Sequence, residues 1–327
     1  MKGPGSVVAA LLIAVLGLAA PITVSAAESG GAADARRSED AVCTKCHDES
    51  EAKPILAIYQ TPHGVAGDGR TPSCQACHGE SKNHVAGSGE SSKGPRPQPD
   101  VVFGSKHTTA GYVPNDAQGQ AEACLTCHKS GLRTHWPGSQ HQMNDVTCSN
   151  CHTVHAARDP MLVKIEQPEV CFTCHKEQRA QTKQFSTHPL DVGKMTCSDC
   201  HNPHGSVAPK LLAKNTVNET CFTCHAEKRG PFLWEHQPVN EDCTICHTPH
   251  GSNITPLLKD RAPFLCDTCH DGPHNSQAPY GTAVAGIQGG GAVKGGNPNS
   301  NAVGRACMNC HVMVHGSNSP TGAYLHH

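Results

Sequence analysis

Large apolar side chains are scarce in this chain of 327 residues, which has 2 Trp, 4 Tyr and 6 Phe, so that aromatics make up 4% of it. Aromatic and long aliphatic side chains supply most of the area that a globular core removes from water. A chain this poor in them does not build such a core unaided. Long apolar runs are missing as well. The stretch from Val7 to Ala20 is short of the ~20 residues of a membrane-crossing helix, and nothing after it is as apolar. There is no excess of charge: 26 Lys and Arg stand against 28 Asp and Glu, a net −2 with pI near 6.9. That excludes the basic footprint of a nucleic-acid binder, and no nucleic-acid partner is expected. Strand-type alternation is also scarce.

What the chain does have is 20 cysteines, none left over from a single spacing. All fall in C-x-x-C-H motifs: Cys43, Cys46 and His47; Cys74, Cys77 and His78; Cys124, Cys127 and His128; Cys148, Cys151 and His152; Cys171, Cys174 and His175. The series continues with Cys197, Cys200 and His201; Cys221, Cys224 and His225; Cys243, Cys246 and His247; Cys266, Cys269 and His270; Cys307, Cys310 and His311. Zinc ribbons and thioredoxin-like sites also use C-x-x-C, and a disulfide framework also needs an even count. Neither requires a histidine after the second cysteine in ten motifs of ten. The pattern is the attachment signature of c-type haem, with two thioethers to the porphyrin and a proximal axial imidazole. Ten covalently bound haem c groups are expected. Their porphyrins supply the apolar surface that the side chains lack, so the haem-free chain is expected to be largely unfolded. The fold class is a multihaem cytochrome c of loops and short α-helices with little strand.

The ends and the repeats set the organisation. Lys2, the apolar run and the small residues from Pro21 to Ala26 read as a secretory signal over 1–26, which directs the product to the periplasm. A polar, mobile leader covers 27–42. Cys148, Cys197 and Cys243 recur at 49 and 46 residues, and Cys171, Cys221 and Cys266 at 50 and 45. Periods of that size indicate an elongated stacked array rather than one core. Five dihaem units follow: 43–100 including a Pro/Gly-rich linker, 101–160, 161–210, 211–256, and 257–327 with a Gly-rich insertion at 275–304.

Fourteen histidines lie outside the motifs. His326 and His327 sit at the C-terminus and are set aside. Each unit has one histidine between its motifs and one after the second: His63 and His84, His141 and His155, His188 and His204, His236 and His250, His274 and His315. These are the candidate distal ligands. His107 and His135 are spare, and whether either replaces one of the ten is open. His155, His204 and His250 follow their proximal histidine by three residues, a reach of ~10 Å at most. That is too short to pass round a macrocycle, so each must serve a different haem. The mature chain's methionines (Met143, Met161, Met195, Met308 and Met313) occupy no repeated position, so bis-histidine iron of low potential is expected. Such iron has no open site for a reagent, which argues for an electron carrier without catalytic residues. Trp136 and Trp234, just before His141 and His236, are expected against porphyrin edges. The pairs His63-Gly64, His204-Gly205, His250-Gly251 and His315-Gly316 suggest a sharp turn after the ligand.

The stretch Asn218-Glu-Thr-Cys221-Phe-Thr-Cys224-His225-Ala-Glu-Lys-Arg-Gly-Pro-Phe-Leu-Trp234-Glu-His236, followed by Cys243-Thr-Ile-Cys246-His247-Thr-Pro-His250-Gly-Ser, resembles the MtrA/PioA/DmsE family of periplasmic decahaem cytochromes. The resemblance covers essentially the whole mature chain, to the ending Cys307-Met-Asn-Cys310-His311-Val-Met-Val-His315, and the insertion before Cys307 is most similar to the MtrA branch. It implies an elongated haem chain sheathed by an outer-membrane β-barrel of the MtrB/PioB type. Electrons would pass between periplasmic or inner-membrane cytochrome c donors and an extracellular multihaem cytochrome or metal acceptor, in a direction the sequence does not give. The alternative is a soluble periplasmic shuttle to a terminal reductase.

Overall fold

The computed structural model describes residues 38–48, 50, 54–65, 68–87, 96–108, 111–270, 307–320 and 322–325. The signal at 1–26, most of the leader 27–42, the insertion 275–304, His274, His326 and His327 lie outside the described residues. Helices are brief. Ala117–Leu125 has 9 residues, and Gln167–Phe172 and Val217–Phe222 have 6 each. Proline opens several of them, at Pro160, Pro168, Pro209 and Pro238, where its fixed φ suits a first turn and its missing N–H costs nothing. Polar caps set other starts. The side chain of Asp116 accepts from the Gly119 N–H, and that of Thr216 from the Glu219 N–H.

The C-x-x-C-H motifs take two alternating local forms. The first motif of units two to five closes an α-helix: Ala117–Leu125, Gln167–Phe172, Val217–Phe222 and Phe264–Asp267. The second motif opens a 3₁₀ turn: Cys148–Asn150, Cys197–Asp199, Cys243–Ile245 and Cys307–Asn309. In both forms the N–H of the motif histidine donates to the carbonyl of the first cysteine, at 2.9 Å in His152 and 3.0 Å in His175. One helical turn thus brings positions i, i+3 and i+4 to one face, where both sulfurs and the imidazole address the same side. This is why the spacing is x-x and then His.

Among the described residues there is no strand, only the isolated bridges Ser186–Ser252, His201–Leu212, Trp234–Ser317 and His247–Leu258. The buried apolar set among them is Val102, Ala121, Trp136, Met161, Phe172 and Ala208, while Phe185 is 83% and Leu162 76% exposed. This agrees with the shortage of large side chains: the polypeptide has no core of its own.

Units are joined to their neighbours by close backbone approach. Asn202 Nδ2 donates to the Leu132 carbonyl at 2.9 Å, and Ser186 exchanges backbone hydrogen bonds with Ser252. Gly205 has φ +114° and a Cβ there would collide with the His135 carbonyl; Gly251 has φ +154° and a Cβ would collide with the Gln181 carbonyl. The His-Gly pairs therefore serve the seam between units as well as the turn. His63-Gly64 differs: a Cβ on Gly64 would meet Tyr59 and Ile58 of its own unit.

Replacing Gly205 by Ala should destabilise the junction between the second and third units by at least about 1–2 kcal/mol, the cost of a left-handed side-chain-bearing residue alone. The collision adds to this. A thermal melt of the holoprotein should show a lowered midpoint, and an unchanged midpoint would contradict the seam as described. Expression without haem attachment should give a chain whose far-ultraviolet circular dichroism lacks the helical signal.

Candidate haem-binding centres

Nine proximal histidines each lie against a second imidazole. The ring centres are 6.2 Å apart for His47–His84, 5.8 Å for His63–His128, and 6.1 Å for His78–His155, His141–His175 and His152–His204. They are 6.3 Å apart for His188–His225 and 6.1 Å for His201–His250, His236–His270 and His247–His315. Two metal–nitrogen bonds of about 2.0 Å, each extended by roughly 1.1 Å to the ring centre, place such rings about 6.2 Å apart. The gap between each pair is that of an iron with two axial imidazoles. His63 and His128 approach with their Nε2 atoms 3.5 Å apart.

The pairing follows a rule that spacing alone did not specify. A histidine between two motifs faces the first motif of the next unit: His63 with His128, His141 with His175, His188 with His225, His236 with His270. A histidine after the second motif faces the second motif of the preceding unit: His155 with His78, His204 with His152, His250 with His201, His315 with His247. His155, His204 and His250 each face the proximal histidine of another motif rather than their own. His84 faces His47 within the first unit. Among the described residues, His107 and His135 belong to none of the nine pairs, and no methionine takes the place of an imidazole in them.

Eight of these eighteen rings meet a backbone carbonyl through the nitrogen that faces away from the gap. Nδ1 contacts a backbone carbonyl at Val101 for His78 (3.0 Å), Pro97 for His84 (2.8 Å), Pro203 for His141 (2.7 Å) and Ile55 for His155 (2.9 Å). The same holds for His188 with Pro249, His201 with Lys210, His236 with Val314 and His247 with Pro256. A carbonyl there requires the Nδ1–H tautomer and leaves Nε2 as the free donor, the usual outer-shell support of a metal-bound histidine. Pro203, Pro249 and Val314 immediately precede His204, His250 and His315. The forward-facing and backward-facing ligands of one junction are thus pinned to each other.

Electrostatics favours neutral rings. Burial pushes His204 down to about 4, with His152 and Arg133 adding their charge, and burial likewise lowers His250, His315 and His78. Neutral imidazole is the ligating form. Beside His204 are three buried nitrogens without an acceptor: Arg133 Nε, Trp136 Nε1 and His204 Nδ1. Trp136 packs with its ring centre 6.5 Å from that of His204, so it serves a ligand of the next unit rather than the nearer His141. Orphaned buried donors are costly, and this donor set fits the propionate carboxylates of a porphyrin. Trp234 behaves differently, giving its Nε1–H to the Ser319 carbonyl at 3.0 Å.

Successive motifs also touch in chain order. Within units the helix of the first motif packs against the turn of the second: Ala117–Leu125 against Cys148–Asn150, Gln167–Phe172 against Cys197–Asp199 and Val217–Phe222 against Cys243–Ile245. Between units the contact passes to the second cysteines, with Cys77 coupled to Cys127, Cys151 to Cys174, Cys200 to Cys224 and Cys246 to Cys269.

Comparison with known proteins agrees with these features. A family model described as Doubled CXXCH motif matches residues 188–230 and 236–276, each match spanning the second motif of one unit and the first of the next. A second, Cytochrome c-type protein NrfB-like, matches residues 74–167. The chain is 43% identical over 291 residues to Multiheme cytochrome MtrA from Shewanella baltica, covering 86% of this chain and 80% of that one. The chain belongs to the MtrA family of multihaem c-type cytochromes. It binds several haem c groups covalently and transfers electrons. A more distant relative, Cytochrome c-type protein NrfB of Haemophilus influenzae, is 25% identical over 160 residues, 48% of this chain and 65% of that one. As in any cytochrome of this kind, the protein's levers on its cofactors are the ligands and the hydrogen bonds behind them.

His204→Ala should leave one haem five-coordinate, the one attached at Cys148 and Cys151. A high-spin ferric resonance amounting to one haem, with carbon monoxide binding on reduction, checks the count. Loss of the distal ligand at Cys197 and Cys200 instead would overturn the pairing rule.

Proposed function

We propose that this MtrA-family chain carries ten haem c groups, each between a proximal imidazole and a distal one. It acts as a molecular wire across the outer membrane inside a porin-type barrel. The single observation that supports the wire is the series of imidazole pairs that links each unit to the next, His63–His128, His141–His175, His188–His225 and His236–His270. When bound, haem supplies one-electron exchange between ferric and ferrous iron. The residues of the chain do the rest. The cysteines fix each group to one helical turn. The proximal set is His47, His78, His128, His152, His175, His201, His225, His247, His270 and His311, and the distal set is His84, His155, His63, His204, His141, His250, His188, His315, His236 and His274, in matching order. His274 is assigned to His311 as the remaining member of the set. With both axial positions closed by imidazole, water, oxygen, nitrite and peroxide are excluded from iron.

The five units 43–100, 101–160, 161–210, 211–256 and 257–327 are the repeating blocks of this wire. Among the described residues no helix is long and apolar enough to cross a membrane. A route for electrons across a bilayer therefore needs an enclosure with a satisfied backbone, which a closed barrel of the MtrB/PioB type provides. In this reading the chain is periplasmic and docks in that barrel. Its partners are periplasmic or inner-membrane cytochrome c donors on one side and an extracellular multihaem cytochrome or a metal acceptor or donor on the other.

Liposomes carrying the protein in such a barrel should reduce an enclosed redox dye when reductant is supplied outside, and liposomes with the barrel alone should not. Equal failure of both would leave the soluble shuttle to a terminal reductase. The intact mass of the mature protein should exceed that of the polypeptide by ten haems.

A further inference from the structure

The five second-motif histidines form an internal comparison series. His78, His201, His247 and His311 each meet a backbone carbonyl through Nδ1, those of Val101, Lys210, Pro256 and Tyr324. His152 does not. Its Nδ1 lies 2.6 Å from the carboxylate Oδ2 of Asp159. The difference is local and legible. Asp159 stands seven residues after its histidine, where the third unit has Ala208 and the fourth has Ile254. In those units a turn with Leu211 (φ 57°) or Leu257 (φ 58°) in the left-handed region brings a carbonyl round to the imidazole. In the second unit the carboxylate does that work.

Among the described residues no Lys or Arg pairs with this carboxylate. Its side chain is 15% exposed, its partner is the Nδ1–H of the neutral His152 ring, and neighbouring Arg158 is taken by Glu166. Its remaining contacts are backbone and hydroxyl donors: the Met161 N–H at 3.0 Å and Thr153 at 3.4 Å.

Resting on the axial pairing above, we propose that Asp159 is a positioning and tuning residue. It makes the haem attached at Cys148 and Cys151 harder to reduce than a neutral carbonyl behind His152 would leave it. A carboxylate accepting from Nδ1–H draws the proton toward itself and makes the imidazole a stronger donor. Ferric iron, which carries one more positive charge than ferrous, gains more from that donation and from the nearby negative charge. Asp159 thereby biases where electrons reside in the partly reduced protein, lowering the share held at that site.

The test is Asp159→Asn in the full-length holoprotein. Asparagine keeps a carbonyl acceptor for Nδ1–H and remains a good N-cap for Pro160–Leu162, so a purely structural role predicts an unchanged spectrum and an unchanged titration. In an optically monitored redox titration, one haem should shift upward while all haems remain low-spin. At a fixed ambient potential its ferrous-to-ferric ratio should rise about tenfold, which is about 59 mV for a one-electron couple. Asp159→Glu should restore much of the difference. The site is isolated by repeating the comparison in the His204→Ala background, where the carbon-monoxide-binding haem is followed alone. Superimposable curves with and without Asp159, or a downward shift, would overturn the inference while leaving the pairing intact. Absence of a five-coordinate haem at Cys148 and Cys151 in that background would overturn the pairing and the inference with it.

Discussion

The structure depends on imidazoles approaching in pairs across the boundaries between repeats. Each boundary from the second unit onward carries two such approaches in opposite directions, as at His141–His175 and His152–His204. Apart from His47–His84 within the first unit, the described pairs join one unit to the next, so most units do not complete their own sites. Cohesion between repeats and construction of the metal sites are therefore one act. This explains how a chain with so few buried apolar residues holds a defined arrangement. Its secondary structure is limited to single turns, and those turns exist to present two sulfurs and one imidazole on one face.

Reciprocal pairing also imposes order. Because neighbouring units pair both forward and backward, motifs follow one another in space as they do in the chain. In a quasi-one-dimensional repeat protein each element meets only its nearest neighbours. For a cytochrome the same property defines a path with two ends. The glycines after the distal histidines, Gly205 and Gly251, allow this path to be tight, since a side chain there would strike the preceding unit.

A repeat gives uniform sites unless something breaks the uniformity. Behind the imidazoles the rule is a backbone carbonyl, which any sequence can supply. Departures are therefore visible as side chains: the carboxylate of Asp159 behind His152, and the orphaned donors of Arg133 and Trp136 beside His204. Both fall at the same pair, the point where the array is least like its own repeat.

The sequence by itself determined the chemistry. Cys-x-x-Cys-His fixes the cofactor because covalent attachment needs those atoms on one turn, and the histidines outside the ten motifs are the candidate second ligands. Peptide reach alone required His204 to leave its own motif. Tertiary structure decided the partners, because His204 had several motifs within reach and which one it meets depends on how units stack. Only the fold placed Trp136 against His204 rather than His141, and gave His-Gly its role at the seams. Asp159 was present in the repeat as an odd residue where its equivalents are Ala208 and Ile254, but a carboxylate seven residues from a histidine reads as solvated surface. Its position behind an imidazole depends on the turn that follows, and turn geometry is set by packing that a one-dimensional spacing does not contain.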